Sequence, residues 1–337
     1  MRTLIPPLPV EIQAEVTGAC NLRCRMCLVR YRPALDRHTA SMDLATFRKI
    51  VDALPALQRL SLQGIGEPLM APDLLPMIEY AAQRGVSVGF NTNATLLTRV
   101  MAERLVDAGL AWICVSIDGA TARTYESIRE GASLAKVERH VRTLLEVARE
   151  QGGGRPSVAL VFVAMRRNVS ELPDLVLRAA EWGITEVHVQ NLSHSFSDTG
   201  GAGAYGDIAA FTAVEALWDG ADPAARERAR QAFAEARRVA GEAGVSLRLP
   251  ALDVHDVPRR PGEPGCDWPW RAAYVRHDGK AQPCCMLMGE DRGILGDVHD
   301  GIAAVWHGEA YQAFRAALLT DEPPHVCRGC SMYRRVF

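Results

Sequence analysis

The stretch EIQAEVTGACNLRCRMC (11–27) governs how the rest of the chain is read. Its first six residues alternate apolar and polar in the manner of a half-buried strand. That strand runs straight into Cys20, Cys24 and Cys27, spaced C-x3-C-x2-C, with no fourth cysteine in reach. Four thiolates close a [4Fe–4S] cluster, whereas three leave one iron without a protein ligand. An open metal position binds substrate or cofactor directly, by the logic that separates catalytic from structural zinc sites. A loop at the carboxyl end of a strand is where barrel folds place their chemistry.

Outward from this loop, β-rich and helical runs alternate to about residue 190. Strands are predicted at 11–16, 59–63, 86–90, 112–117, 157–163 and 186–190, and helices at 42–54, 73–83, 97–108, 133–150 and 171–182. Repeated βα units imply a parallel sheet, and right-handed crossovers wind it into a barrel. One set of alternate strand residues is apolar (Ile12, Leu60, Val88, Ile113, Val187), to meet the outer helices. The other set is polar: Gln13, Glu15, Gln63, Asn91, Ser116, Asp118, His188 and Gln190. A closed eight-stranded barrel packs branched apolar residues inside, so a polar interior predicts fewer strands around a lumen that holds a ligand. The expected fold class is therefore α/β, a partial (β/α)6 barrel, over residues 1–250. A small domain over 251–337, a β-hairpin plus helix, follows the linker-like PRRPGEPG (258–265). The Gly/Ser-rich run after Leu192 reads as a loop and 223–241 as a helix.

Composition narrows the function classes. With 38 Lys+Arg against 40 Asp+Glu and a net charge of −2, no stripe of like charge is available to neutralise phosphates or dock on anionic lipid. Neither nucleic acid nor membrane is expected as a partner. No signal-peptide pattern opens the chain, and the expected location is the cytoplasm. In that reducing compartment nine cysteines point to metal or redox work rather than disulfides. Cys266, Cys284, Cys327 and Cys330 form a second group, leaving Cys114 and Cys285 over. Asp278-Gly279 is a two-residue hairpin turn that brings Cys266 and Cys284 within reach of each other. Four such thiolates suit either a fully ligated cluster or a structural zinc.

The cysteine spacing, then GIGEP (64–68), NTN (91–93) and VSIDG (115–119) at successive strand ends, resembles the radical S-adenosylmethionine (SAM) enzymes over nearly the whole chain. Ile65 is a departure, standing where that family has the second of two adjacent glycines. The resemblance implies a [4Fe–4S] cluster on Cys20, Cys24 and Cys27 whose open iron chelates SAM. An electron then cleaves SAM to a 5′-deoxyadenosyl radical that abstracts hydrogen from substrate. It implies SAM contacts at Met26, Gly66, Glu67, Asn93, Ser116, Asp118 and Gln190, with Arg166, Asn168 and Asn191 as weaker candidates. The C-terminal region resembles a SPASM or "twitch" domain, which implies an auxiliary [4Fe–4S] cluster on Cys266, Cys284, Cys327 and Cys330. Cys285 is either a buried neighbour or a substitute for Cys284.

A fully ligated cluster beside the lumen can accept the electron left on a substrate radical, so net two-electron oxidation follows. The expected partners are a reductant such as flavodoxin or ferredoxin and a small polar substrate. The four-cysteine pattern also resembles the aminocyclitol dehydrogenases of antibiotic biosynthesis, implying oxidation of a secondary alcohol. The alternatives are a peptide maturase forming a crosslink or thioether, and an epimerase in which Cys114 returns a hydrogen atom. The first strand begins within a dozen residues of Met1, which leaves less room for a domain that grips a leader peptide. Glu15 and His188 stand as possible acceptors of a substrate proton.

Overall fold

Six parallel strands form where the alternation places them: β1 (Glu11–Ala14), β2 (Arg59–Ser61), β3 (Ser87–Thr92), β4 (Trp112–Ser116), β5 (Ser157–Ala164) and β6 (Glu186–Asn191). Each pairs with its successor in sequence. The computed structural model describes residues 2–31, 41–201, 203–218, 221–253, 263–287 and 292–337. The crossovers carry α1 (Leu44–Asp52), α2 (Leu74–Ala82), α3 (Arg99–Asp107), α4 (Ala122–Ile128), α5 (Leu134–Glu150) and α6 (Leu172–Trp182). Local chemistry sets their starts. The Asp43 carboxylate accepts from Thr46 N at 2.8 Å, and the Thr98 and Thr121 hydroxyls accept from Met101 N and Thr124 N. The apolar strand face is buried against these helices, α5 contributing Val137, Val141, Leu144 and Val147 at helical spacing.

Two helices of the barrel region were not legible in the sequence. The seven-residue α4 is too short to show a period and is defined by its Thr121 cap. The second, α7 (Gly203–Glu215), follows left-handed glycines at 200 and 201 and lies where a loop is predicted. Its Ile208 packs on Leu28 and Phe196, and such burial overrides the weak helix propensity of a Gly-rich run. The chain continues through α8 (Pro223–Ala243) and β7 (Ser246–Arg248), which extends the sheet beyond β6.

The C-terminal hairpin joins the barrel's own sheet. After α9 (Trp268–Arg271), β8 (Ala272–Val275) runs parallel to β1, with Gln13 opposite Tyr274. β9 (Lys280–Gln282) and β10 (Gly296–Asp297) add antiparallel, giving the order β10-β9-β8-β1-β2-β3-β4-β5-β6-β7. The turn differs from the two-residue one expected at Asp278-Gly279: Arg276 pairs with Lys280 across a three-residue loop, His277 to Gly279, in which Gly279 takes φ +80°. The helices α10 (Ile302–His307) and α11 (Glu309–Leu318) cover the hairpin. Most of the expected linker at 258–265 lies outside the described residues. Beyond β6 the chain is stitched to the CRGC segment: Ser193 O accepts Ser331 N at 3.0 Å and the Ser331 hydroxyl at 2.9 Å, and Ser195 N donates to Gly329 O at 2.8 Å. Among the described residues no helix is long and apolar enough to cross a membrane.

Candidate active site

The carboxyl ends of the strands surround a cavity of about 270 Å³. Its wall contains Cys20, Cys24, Met26 and Cys27, the turn from Gln63 to Glu67, and Asn91 to Asn93. Ser116, Arg129, Val163, Gln190 to Ser193 and Phe337 complete it. Of the SAM contacts the resemblance implies, Met26, Gly66, Glu67, Asn93, Ser116 and Gln190 line this cavity.

The cysteine loop is held from two sides. Arg23 N and Arg25 N donate to Glu130 O and Ile128 O at 3.1 and 2.9 Å, laying the loop along the end of α4. Asn21 donates to the Thr95 hydroxyl at 2.7 Å and accepts from Asn93 Nδ2 at 3.0 Å. Asn93 therefore braces the loop as well as facing the cavity. Gly66 packs directly on the loop's entry: a Cβ there would stand 2.2 Å from Thr17 O and 2.6 Å from Ala19 O. Next to it Glu67 N donates to Ala19 O at 2.8 Å, while its buried carboxylate accepts the Thr92 hydroxyl at 2.6 Å and Asn93 N at 2.8 Å. Burial pushes the Glu67 carboxyl above its ordinary value against those hydrogen bonds. Burial also drives the Cys20 and Cys24 thiols up to about 12, mutual repulsion with Cys27 adding to it. Such thiols ionise when a cation is bound, and metal assembly releases their protons.

Asp118 departs from expectation. It is wholly buried and absent from the cavity wall, because β4 ends at Ser116 and strand parity lapses beyond it. Its carboxylate accepts Val163 N at 2.8 Å and Arg129 Nε at 2.7 Å. Arg129 is the residue that sequence reasoning missed. It follows the unforeseen α4, lines the cavity, and points Nη1 at Cys24 Sγ, 3.9 Å away. Nothing but a lone arginine after that short helix marked it. Asn168 is likewise structural, spending its amide on Met165 N, Asp118 O and Val163 O, and Arg166 pairs on the surface with Asp222 at 3.5 Å.

Glu15, His188 and Cys114 share the lumen parity but do not line the cavity. His188 pairs with Glu186 at 2.8 Å near the amino end of β6. Cys114 lies lower on β4, where burial and Glu186 push its thiol up to about 11. Glu15 is enclosed between the barrel and the hairpin, with Oε1 2.6 Å from His277 Nδ1. Burial raises its carboxyl, but the His277 hydrogen bond and charge, with the Ile65 N–H and the Tyr274 hydroxyl, hold it below the ordinary 4.5. A carboxyl lowered on folding contributes stability that is present above its unfolded value and lost as pH falls through the folded one. Glu15→Gln is therefore expected to lose stability less steeply than the parent below pH 4.5 in thermal melts. Parallel acid limbs would remove Glu15 from this account.

The second cysteine group also converges. Cys266, Cys284, Cys285, Cys327 and Cys330 pack together with Trp270, Met286, Phe314 and Tyr333. Cys285 is thus a fifth member of the group. Burial raises all five thiols, those of Cys266 and Cys285 to about 12. Phe337 belongs to both places, packing on this cluster and lining the cavity. Among the described residues no trio of Cys, His, Asp or Glu converges on a single ion. Thiolates of a cubane sit on separate irons and need no such convergence. The three-thiol loop, Gly66 packed against its entry and the adjacent guanidinium fit a cluster with one open iron and a bound amino acid moiety.

Residues 14–189, over half of the chain, match the Radical SAM superfamily. The chain belongs to the radical SAM superfamily. Residues 266–331 match the iron–sulfur cluster-binding SPASM domain. A radical SAM domain binds a [4Fe–4S] cluster and SAM, and a SPASM domain adds auxiliary iron–sulfur clusters, so the zinc alternative for the second group is set aside. The chain is 26% identical to the tungsten-containing aldehyde ferredoxin oxidoreductase cofactor-modifying protein of Pyrococcus furiosus, over 94% of this chain and 86% of that protein. It is 27% identical to the PqqA peptide cyclase of Gluconobacter oxydans, over 98% of this chain and 85% of that protein. It spans under half the length of the mycofactocin maturases it also matches. Among solved structures, Streptococcus suis SuiB bound to precursor peptide SuiA shares the fold, with TM-score 0.71, 15% identity, and coverage of 97% of this chain and 70% of SuiB.

Proposed function

We propose that this radical SAM enzyme is a peptide maturase that couples hydrogen abstraction to oxidation of the substrate radical, closing a new bond within the peptide. In this reading Cys20, Cys24 and Cys27 ligate the SAM cluster, and Cys266, Cys284, Cys327 and Cys330 the auxiliary one. Gly66, Glu67, Asn93, Ser116 and Gln190 contact SAM, with Met26 on the adenine side. Arg129, anchored through Nε on Asp118, has guanidinium donors left for the SAM carboxylate. Bound there, the cluster supplies the electron that splits SAM into methionine and a 5′-deoxyadenosyl radical.

The observation that carries the reading is Phe337, which joins the cavity to the auxiliary cysteines. A substrate held along Gln190 to Ser193 lies between the two centres. Its C–H hydrogen would pass to the 5′-deoxyadenosyl radical to give 5′-deoxyadenosine, its remaining electron would leave on the Phe337 side, and a proton would depart as the new bond forms. Peptide takes precedence over aminocyclitol because the PqqA peptide cyclase matches 98% of the chain. The small substrate and secondary-alcohol oxidation expected from the cysteine pattern are replaced accordingly. Cys114, outside the cavity wall, is not assigned the hydrogen-donor role that an epimerase needs.

The test is anaerobic incubation of reconstituted protein with SAM and reductant against a pooled library of short peptides and, in parallel, a panel of aminocyclitols. Loss of two hydrogens from a peptide, with stoichiometric 5′-deoxyadenosine, is the expected result. The same loss confined to an aminocyclitol would overturn it.

A further inference from the structure

Glu15 sits where three segments meet. Only 2% of its surface is exposed. Oε2 accepts Ile65 N at 3.0 Å, from the middle of the 64–66 turn, and the Tyr274 hydroxyl at 2.7 Å, from β8. Oε1 lies 2.6 Å from Nδ1 of His277, just past β8. The His277 ring in turn packs on the entry to the cysteine loop, where a Cβ on Gly18 would stand 3.3 Å from its Cε1. There is no slack on the turn side either: a Cβ on Gly64 would fall 2.2 Å from Glu15 Cγ. One carboxylate thus holds the turn that faces SAM and the hairpin that leads to Cys284 and Cys285.

We propose that Glu15, His277 and Tyr274 form a positioning unit that shapes the 64–66 turn for SAM and makes SAM binding and the auxiliary cluster responsive to each other. The physical argument is one of linkage. Two sites are coupled when both bias the arrangement of one shared element, and the effect is then reciprocal. A buried carboxylate bonded at once to the turn, to β8 and to His277 is such an element. Shifting Ile65 to close on SAM either breaks the bond to Oε2 or draws Tyr274 and β8 along with it. A merely structural ion pair would support the fold without any cross-effect. The inference rests on SAM lying against the 64–67 turn, as proposed above.

The experiment uses the reconstituted full chain. SAM is titrated while electron paramagnetic resonance follows the reduced N-terminal cluster, and the auxiliary midpoint potential is measured with and without SAM. The parent is expected to show an auxiliary potential that moves on SAM binding. In Glu15→Gln and His277→Gln the SAM Kd is expected to rise about tenfold, as for other residues that orient a metal site indirectly. Iron and sulfide content stay unchanged, and the SAM-induced shift of the auxiliary potential disappears. Tyr274→Phe, which leaves the carboxylate in place, decides the matter should Glu15→Gln fail to fold. Variants that melt earlier but keep the parent's Kd and shift would overturn the proposal, as would a parent whose auxiliary potential ignores SAM. A parent whose N-terminal cluster shows no response to SAM at all would instead overturn the SAM placement.

Discussion

Cys24→Ala is expected to leave a protein with about four irons in place of about eight and no detectable cleavage of SAM. Cys24 is buried at the centre of the three-thiol loop, beside Arg129, and among the described residues no other thiol lines the cavity except Cys20 and Cys27. With two ligands left and no substitute in reach, the cubane loses its hold. The auxiliary group provides the contrast, because Cys285 packs with Cys266, Cys284, Cys327 and Cys330. Cys284→Ala is therefore expected to retain more iron than Cys24→Ala. Iron and sulfide analysis of the two variants, reconstituted side by side, measures the difference. Equal iron in both would show that Cys285 does not stand in for Cys284, and about eight irons in Cys24→Ala would show that the N-terminal loop is not the ligand set assigned to it.

Arg129→Met is expected to be the most damaging single change outside the cysteines. The guanidinium and the Asp118 carboxylate form a pair whose side chains are 10% and 0% exposed, with Nε 2.7 Å from Oδ2. Removing one member of a buried pair leaves the other charge uncompensated, at a cost of about 3–5 kcal/mol. For a chain of this size that is a fall in Tm of about 4–7 °C. The double variant Asp118→Asn/Arg129→Met should recover part of the loss, since the stranded carboxylate is gone. Arg129 also faces Cys24 Sγ, so losing its positive charge should move the N-terminal cluster to a more negative midpoint potential. Arg129→Lys keeps the charge but not the fork that reaches Asp118 and Cys24 together, and should rescue the potential better than the stability. An unchanged melting curve for Arg129→Met would refute the structural half of this account.

Strand positions were the most legible part of the site. Asn91, Ser116 and Gln190 face the cavity as alternation predicts, because a side chain's face on a strand is set by its number alone, and Gln63 keeps that face two residues past the end of β2. The same rule misplaced Asp118, two residues past the end of β4. It also failed to separate the upper lumen from the lower, so that His188 and Cys114 share parity with Gln190 and Ser116 yet lie away from the cavity. Glu15 has the correct face, but β8 docks beside β1 and encloses it. Arg129 could not be found by any period, since its position depends on a seven-residue helix defined by its cap.

The three-cysteine spacing, the strand alternation and the turn glycines carried the cluster type, the partial barrel and much of the cavity wall. Each is a local property, fixed by how a few consecutive residues ligate, alternate or bend. Tertiary structure alone decided that the C-terminal hairpin continues the barrel sheet through β1 and that Phe337 links the second cysteine group to the cavity. Those are contacts between residues up to some three hundred positions apart. Their geometry follows from burying the faces of separate elements against one another, which no local pattern encodes.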